Sequence, residues 1–399
     1  MNNIGLTVPF IISCVLLSFL LYLGWKILNS VWFRPKKLEN LLRAQGLAGK
    51  PYKFLFGDFK ELVMMIEEAA SKPINLSDDI VPRALPFLID TINKYGKNCF
   101  MWLGPIPAVM ILDPEHVREI FHKYTLYEKN RFHPLGDYLV KGLAATEGEI
   151  WRKHRRLINP AFHPEKLKHM LPAFRLCASD MLSKWDESIL QNNGSCERDV
   201  WPDLHKFTSD AISRTAFGSN YEEGRNIFEL QTEQAELVMK EVKSFYFPGS
   251  RFLPTKRMRR IKDIQRQLYA IIGGLIDKRM RAMKAGEPTN DDLLNILLKS
   301  NLKEIGTQQG DKSLGMSTED VIEECKLFYL GGQETASSLL AWTLVLLSRH
   351  QEWQSRAREE VLRVFGRNDP NFEGLNHLKI VSYSIFHHLF GLERLFSVR

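Results

Sequence analysis

The sequence has 399 residues, 44% of them hydrophobic and 25% charged; this balance argues against a disordered or fibrous chain and leaves room for one large domain or two smaller ones. Its net charge of +7 suits an anionic membrane surface or an acidic protein partner, and no nucleic-acid-binding motif accompanies it, so nucleic acid is not an expected partner. The five cysteines (Cys14, Cys99, Cys177, Cys196 and Cys325) are odd in number and form no Cys-x-x-Cys pair, which argues against a disulfide scaffold or a cysteine zinc site and for a reducing compartment.

Residues 8–28 are nearly all apolar, without a charge before Lys26, and match the ~20 residues a membrane-spanning helix needs. No Ala-x-Ala-like cleavage site follows, so residues 1–33 are expected to be a retained anchor. Lys26, Arg34, Lys36 and Lys37 follow the stretch and no Lys or Arg precedes it, which places the main body on the cytosolic side. Arg34-Pro35-Lys36-Lys37 reads as a stiff basic collar. Residues 79–95 predict a helix interrupted by prolines. Residues 100–103 and 108–112 predict two strands around the turn Gly104-Pro105-Ile106-Pro107, and Asp113-Pro114-Glu115 opens a helix with Pro in its first turn. Many helices and few strands make the chain mostly α with a small β-sheet.

Trp151 and Arg155 lie four apart and share a face of a helix. An indole N–H and a guanidinium on one face suit a buried carboxylate, although a solvated basic helix is the commoner meaning of the bare pattern. Residues 166–190, 203–217 and 222–245 predict successive amphipathic helices, with the polar loop Asn192-Asn193-Gly194-Ser195 after the first. Phe245, Tyr246, Phe247 and Phe252 precede Lys256, Arg257, Arg259, Arg260 and Lys262. This is either a loop with a solvated helix face or a second membrane contact, with rings dipping in and cations at the headgroups. A helix ending at residues 284–288 and a polar loop over residues 301–315 come next.

Residues 317–349 then predict one long helix. Ser317 is followed three residues later by Asp320, a helix-start signal, and no proline interrupts the run. In its middle stand Gly331-Gly332-Gln333-Glu334-Thr335. Two glycines inside a helix cost about 1 kcal/mol each against alanine, so something is expected to approach the backbone there. A packing notch is the plain reading, and an oxygen-handling groove the sharper one. A charged amphipathic helix follows over residues 351–365.

Gly331-Gly332-Gln333-Glu334-Thr335 resembles the (Ala/Gly)-Gly-x-(Asp/Glu)-Thr motif on the long central helix of the cytochrome P450 monooxygenases. Phe328-Tyr329-Leu330 and Trp342-Thr343 around it resemble the plant 72 clan of that family. Trp151-x-x-x-Arg155, with Asn159-Pro160-Ala161-Phe162 after it, resembles the family's helix that holds the haem propionates. The resemblance implies a cytochrome P450-like fold, haem b as cofactor, and NADPH electrons delivered by a membrane-bound reductase. It also implies insertion of oxygen into a lipophilic small-molecule substrate of terpenoid, isoprenoid hormone or fatty acid class, at the endoplasmic reticulum membrane. Thr335 would then hold the dioxygen by a hydrogen bond and Glu334 would help relay protons, in a groove opened by Gly331 and Gly332. Trp151 and Arg155 would bind the cofactor, and Arg152, Lys153 and Arg156 would face the reductase.

The resemblance runs to about residue 381, so residues 34–381 are expected to form a catalytic domain incomplete at its C-terminus, with residues 382–399 a divergent tail. The family's Phe-x-x-Gly-x-Arg-x-Cys-x-Gly loop, whose cysteine is the axial ligand of the haem iron, is not present. No metal ligand is expected in this chain; His387 and His388 are adjacent histidines in an apolar tail. A catalytically inactive, membrane-anchored binding or interaction protein is therefore the rival expectation. The charge asymmetry about residues 8–28 predicts that the sequon at Asn193 stays unglycosylated when the chain is translated into microsomes, and that added protease digests the main body. Glycosylation at Asn193 or protection of that body would reverse the orientation.

Overall fold

The computed structural model describes residues 4–75, 79–129, 134–243, 255–287, 291–306 and 315–383. It divides into two compact units, Met1–Tyr127 and Glu128–Arg399.

In the first unit, α1 (Ile4–Leu28) passes through a π-turn, Asn29–Phe33, into α2 (Arg34–Ala44). The basic collar Arg34-Pro35-Lys36-Lys37 is the first turn of α2. Pro35 follows directly on the π-turn at the start of α2, and Glu39 is ion-paired with Lys36 at 2.9 Å and Arg43 at 3.1 Å. The side chains of residues 11–28 are exposed, and Ile11–Ala44 is the one helical stretch among the described residues long and apolar enough to cross a membrane. The sheet joins β1 (Ala48–Gly49), parallel, to β2 (Cys99–Leu103), which pairs antiparallel with β3 (Ile106–Val109) in the register Leu103↔Ile106, Phe100↔Val109. The turn is therefore only Gly104-Pro105, shorter than the predicted one, and β3 starts two residues early; Gly104 supplies the left-handed φ of +61° that so tight a reversal needs. Helices α3 (Phe59–Ser71), α4 (Ile80–Ala84), α5 (Pro86–Tyr95) and α6 (Pro114–His122) complete the unit. The predicted proline interruption falls between α4 and α5. Asp113 caps α6 by accepting from Glu115 N and His116 N.

The second unit is helical among the described residues. It contains α7 (Gly148–Ile158), α8 (Pro164–Gln191), α9 (Trp201–Phe217), α10 (Tyr221–Lys243), α11 (Lys256–Lys284), α12 (Leu293–Gly306), α13 (Thr318–Arg349), α14 (Gln351–Phe365), α15 (Phe372–Leu375) and α16 (Lys379–Tyr383). One core unites α7 and α9–α13, built on Leu157, Ile158, Phe217, Ile264, Leu268, Leu294, Cys325 and Tyr329. Tyr329 stacks flat on Phe217, centroids 3.9 Å apart, and meets Phe228 edge-on at 5.3 Å.

One expectation changes here, and another falls largely outside the described residues. Residues 301–306 belong to α12 rather than to a polar loop. Asn301 is buried and its amide clamps the backbone of Met316, accepting from its N–H at 2.7 Å and donating to its carbonyl at 3.1 Å. Of the aromatic and basic stretch, residues 244–254 lie outside the described residues, and two of its cations are engaged with α10: Arg257 with Glu241 at 3.0 Å and Arg260 with Glu233 at 2.6 Å.

Glu360 of α14 is almost fully buried and accepts from the backbone N–H groups of Lys379, Ile380 and Val381, the first turn of α16. Burial by itself raises its pKa, and the three N–H donors more than reverse this, holding the carboxyl below its ordinary 4.5. The bond's contribution is therefore fully present above the unfolded pKa and is lost as pH falls through the lower folded one. Amide protection at residues 379–381, relative to the intrinsic exchange rate at each pH, is expected to fall below that point, and Glu360→Gln should remove that fall.

Candidate functional site

Helix α13 starts where the sequence predicts, on a reciprocal capping box: Ser317 Oγ accepts from Asp320 N at 3.1 Å and Asp320 accepts from Ser317 N at 2.9 Å. Its 32 residues make a rod of about 48 Å. The first turns, Val321 to Lys326, are buried. Further along, Leu339, Trp342, Leu344 and Val345 are exposed, so the C-terminal half presents an open apolar face.

The two glycines differ. A Cβ on Gly332 would lie 2.6 Å from Ile212 of α9, whereas a Cβ on Gly331 would meet nothing within 4 Å. Gly332 is the notch through which α9 approaches; Gly331 borders open space. Thr335, one turn on, is exposed and its hydroxyl donates to the Gly331 carbonyl at 2.6 Å. Glu334 is half-buried, with a carboxylate oxygen 3.5 Å from His205 Nε2 on α9. Between them Gln333 is buried, and its amide N–H donates to Ser209 Oγ at 2.6 Å and to His205 Nδ1 at 3.2 Å. An amide nitrogen can only donate, so His205 carries its proton on Nε2, facing Glu334. Sequence reasoning missed His205. The available signal was the stripe His205, Thr208, Ser209, three and four apart on an otherwise packed helix.

Trp151 and Arg155 lie along one flank of α7, whose inner face is His154, Leu157 and Ile158. Arg155 is exposed and has no ion pair or hydrogen bond among the described residues. Trp151 is half-buried, with Lys129 Nζ 6.0 Å from its ring. His154 is buried and its Nδ1 lies 2.6 Å from Glu324 Oε1 of α13, a tie that the sequence reading also missed. The other cations of α7 have partners inside the chain: Arg152 with Glu149 at 2.6 Å, Arg156 with Glu304 at 2.6 Å, and Lys153 with the Gly315 carbonyl at 3.0 Å.

These residues suit one side of a haem and its acid groups. Gly331 leaves a gap that a Cβ would fill, Thr335 sits exposed beside it, and Arg155 offers an unpaired guanidinium for a carboxylate. They do not suit an axial thiolate. Cys325 is fully buried in α13, and burial, with Glu324 and Asp292 near, raises its pKa. Cys177 donates to Asp210 at 3.1 Å, and burial together with that carboxylate pushes its thiol up to about 12. Cys99 is buried in β2 of the first unit, while Cys14 lies exposed in α1 and Cys196 exposed in the segment before α9.

Alanine at the two glycines should separate packing from open space. Gly331→Ala is expected to raise stability by up to about 1 kcal/mol through helix propensity. Gly332→Ala should lower it by about 1–3 kcal/mol, because Ile212 has to move. Denaturant midpoints of the two variants measure the contrast, and equal midpoints would refute it.

Residues 86–385 match the family described as Cytochrome P450. The chain is 53% identical over 378 residues to cytochrome P450 CYP72A219 of Panax ginseng, an alignment spanning 94% of this chain and 73% of that one. It is 50% identical to cytochrome P450 72A15 of Arabidopsis thaliana over 93% of this chain and 72% of that one. It is 49% identical to secologanin synthase 1 of Catharanthus roseus, over 94% of this chain and 72% of that one. Among solved structures, a retinoic acid-bound cyanobacterial CYP120A1 shares the fold, with a TM-score of 0.65 at 19% identity over 86% of this chain and 69% of that one. A family match across three quarters of the chain, and relatives about half identical across nearly all of it, place this protein in the cytochrome P450 family, beside members of its plant 72 clan.

Proposed function

We propose that the second unit carries the oxygen-handling face of a monooxygenase acting on a lipophilic small molecule of terpenoid, isoprenoid hormone or fatty acid class. The observation that carries this reading is the open stripe of α13 at Gly331 and Thr335, continued by exposed Leu339 and Trp342. Haem b, when bound, supplies the redox-active iron, with electrons from NADPH through a reductase. Arg155 would hold a carboxylate of that group by charge-assisted hydrogen bonds, and Trp151 would offer its indole N–H. Thr335 now donates to the Gly331 carbonyl; rotating the hydroxyl toward the open side lets it hold or pass a proton there. Glu334 refills that proton, and His205 Nε2–H steadies its carboxylate. The apolar stripe suits a substrate that prefers it to water. The apolar α1, followed by Lys36 and Lys37, supports a single-pass anchor in the endoplasmic reticulum membrane with the main body cytosolic. The relative named secologanin synthase 1 is in keeping with a biosynthetic role.

A second reading is favoured by the cysteines. Cys177 and Cys325 of the second unit are buried, and their surroundings raise the pKa of both thiols. The thiolate is what favours O–O cleavage, and on this second reading the chain is a membrane-anchored binding or interaction protein. Reduction of the expressed chain under carbon monoxide tests this: no red-shifted thiolate-type Soret band is expected, and its appearance with turnover of any lipophilic substrate would overturn the second reading. Joined to the C-terminal segment of a 72-clan relative, the chain is expected to form product, and Thr335→Ala should lower product per NADPH by about tenfold or more. Unchanged coupling would reduce the motif to packing.

A further inference from the structure

Beside the helix start of α13 lies a buried polar cluster that the proposed oxygen chemistry does not use. His154 is 1% exposed and Glu324 fully buried, and they bond at 2.6 Å. Gly142 makes room for the pair: its φ is +61°, and a Cβ there would lie 2.8 Å from the Glu324 carboxyl carbon. The turn at residues 142–146 is held from the other side by Lys129, whose ammonium donates to the carbonyls of Leu143 and Thr146 at 3.0 Å each.

The bonding of this cluster is incomplete. A carboxylate can only accept, so His154 donates from Nδ1 and its Nε2 is left without a partner. His154 Nε2, Glu324 Oε2 and Thr146 Oγ1 are all buried without a hydrogen-bond partner among the described residues. A cavity of about 170 Å³ adjoins His154 and Thr146, lined also by Gly142, Lys141, Asp137, Asp320 and Glu323. A water occupies about 30 Å³ and needs two to four polar partners; the cavity offers room for several and the orphaned atoms offer the partners.

The location gives the cluster a task. His154 sits between Trp151 and Arg155 in sequence, on the inner face of α7. Glu324 precedes Gly331 by two helical turns and Thr335 by three, on the same side of α13. We propose that His154 and Glu324, completed by ordered water in this cavity, are a positioning pair that registers the helix carrying Trp151 and Arg155 against the helix carrying Gly331 and Thr335. The cofactor part of this inference rests on the proposed function; the registration of the two helices does not. Neither residue is placed on a reacting atom. A buried charge-assisted bond gives two discrete outcomes, made or broken, where apolar packing alone would let α7 slide.

The test uses the full chain in detergent micelles. Glu324→Gln keeps the shape and weakens the bond; Gly142→Ala displaces the carboxyl without touching His154. Each is expected to speed amide exchange at residues 152–158 by about tenfold, with α10 and α11 unchanged as a control for folding. His154→Asn combined with Glu324→Gln should exchange no faster than either alone, because one interaction is lost in all three. Exchange within twofold of the parent in both single variants, or additive effects in the double, overturns the proposal. Titration with hemin gives the second readout: Glu324→Gln should weaken association about fivefold and move the Soret maximum, although Trp151 and Arg155 are intact. Parent-like affinity and spectrum in that variant would also overturn it. If the parent chain itself takes up no hemin, the haem reading fails, and the exchange result alone decides the registration of α7.

Discussion

The approach of α9 to α13 is the constraint on which the second unit depends. Gly332 lets Ile212 come within side-chain contact of the α13 backbone, and Gln333 next to it is bonded to Ser209 and His205 while its carbonyl accepts from Thr208. A helix that packed on Gln333 without those groups would leave its buried amide N–H unsatisfied, at about 1–3 kcal/mol. The close approach and the polar stripe therefore require each other. Together they set which side of α13 is covered, and so leave Gly331 and Thr335 on the side that is not.

The N-terminal half of α13 buries charge as well as apolar surface. The ammonium of Lys326 is almost inaccessible, and burial lowers its pKa against the attraction of Glu323. Its three donors meet Glu323 Oε2 at 3.1 Å, Gln265 Oε1 at 3.0 Å and the Tyr138 carbonyl at 3.3 Å. Glu323 accepts in turn from Gln265 at 3.1 Å and from the Tyr269 hydroxyl. A buried ion pair contributes little net stability, but removing one partner costs several kcal/mol. Such a network ties α11 and the turn before α7 to one rotation of α13 rather than to the helix in general.

The same helix thus has two characters. Its first turns are locked on all sides by Glu324, Lys326 and the Tyr329 stack, while Leu339, Trp342 and Val345 stay exposed. The Gly331–Thr335 segment lies where one gives way to the other. A rigid half supplies geometry and an open half supplies access, the arrangement that the proposed function asks of this helix.

Where the signal was local, the sequence alone determined the outcome. Ser317 and Asp320 cap each other, so the start of α13 was legible; the unbroken apolar run of α1 and the amphipathic α14 were legible for the same reason, since caps and periodicity act within a few residues. The family itself was readable from Gly331–Thr335 and from Trp151 and Arg155. Long-range partners decided the rest. Residues 301–306 look like polar loop until Asn301 is seen clamping Met316. Arg34-Pro35-Lys36-Lys37 reads only as a stiff basic collar until the π-turn is seen to carry the helix into it. Gly331 and Gly332 are the same residue twice, and His154 is one more basic residue in Trp151-Arg152-Lys153-His154-Arg155-Arg156. Only Ile212, far away in sequence, makes one glycine a packing notch and leaves the other open, and only Glu324 makes that histidine a buried tie, because burial and close approach are properties of neighbours that the chain does not place side by side.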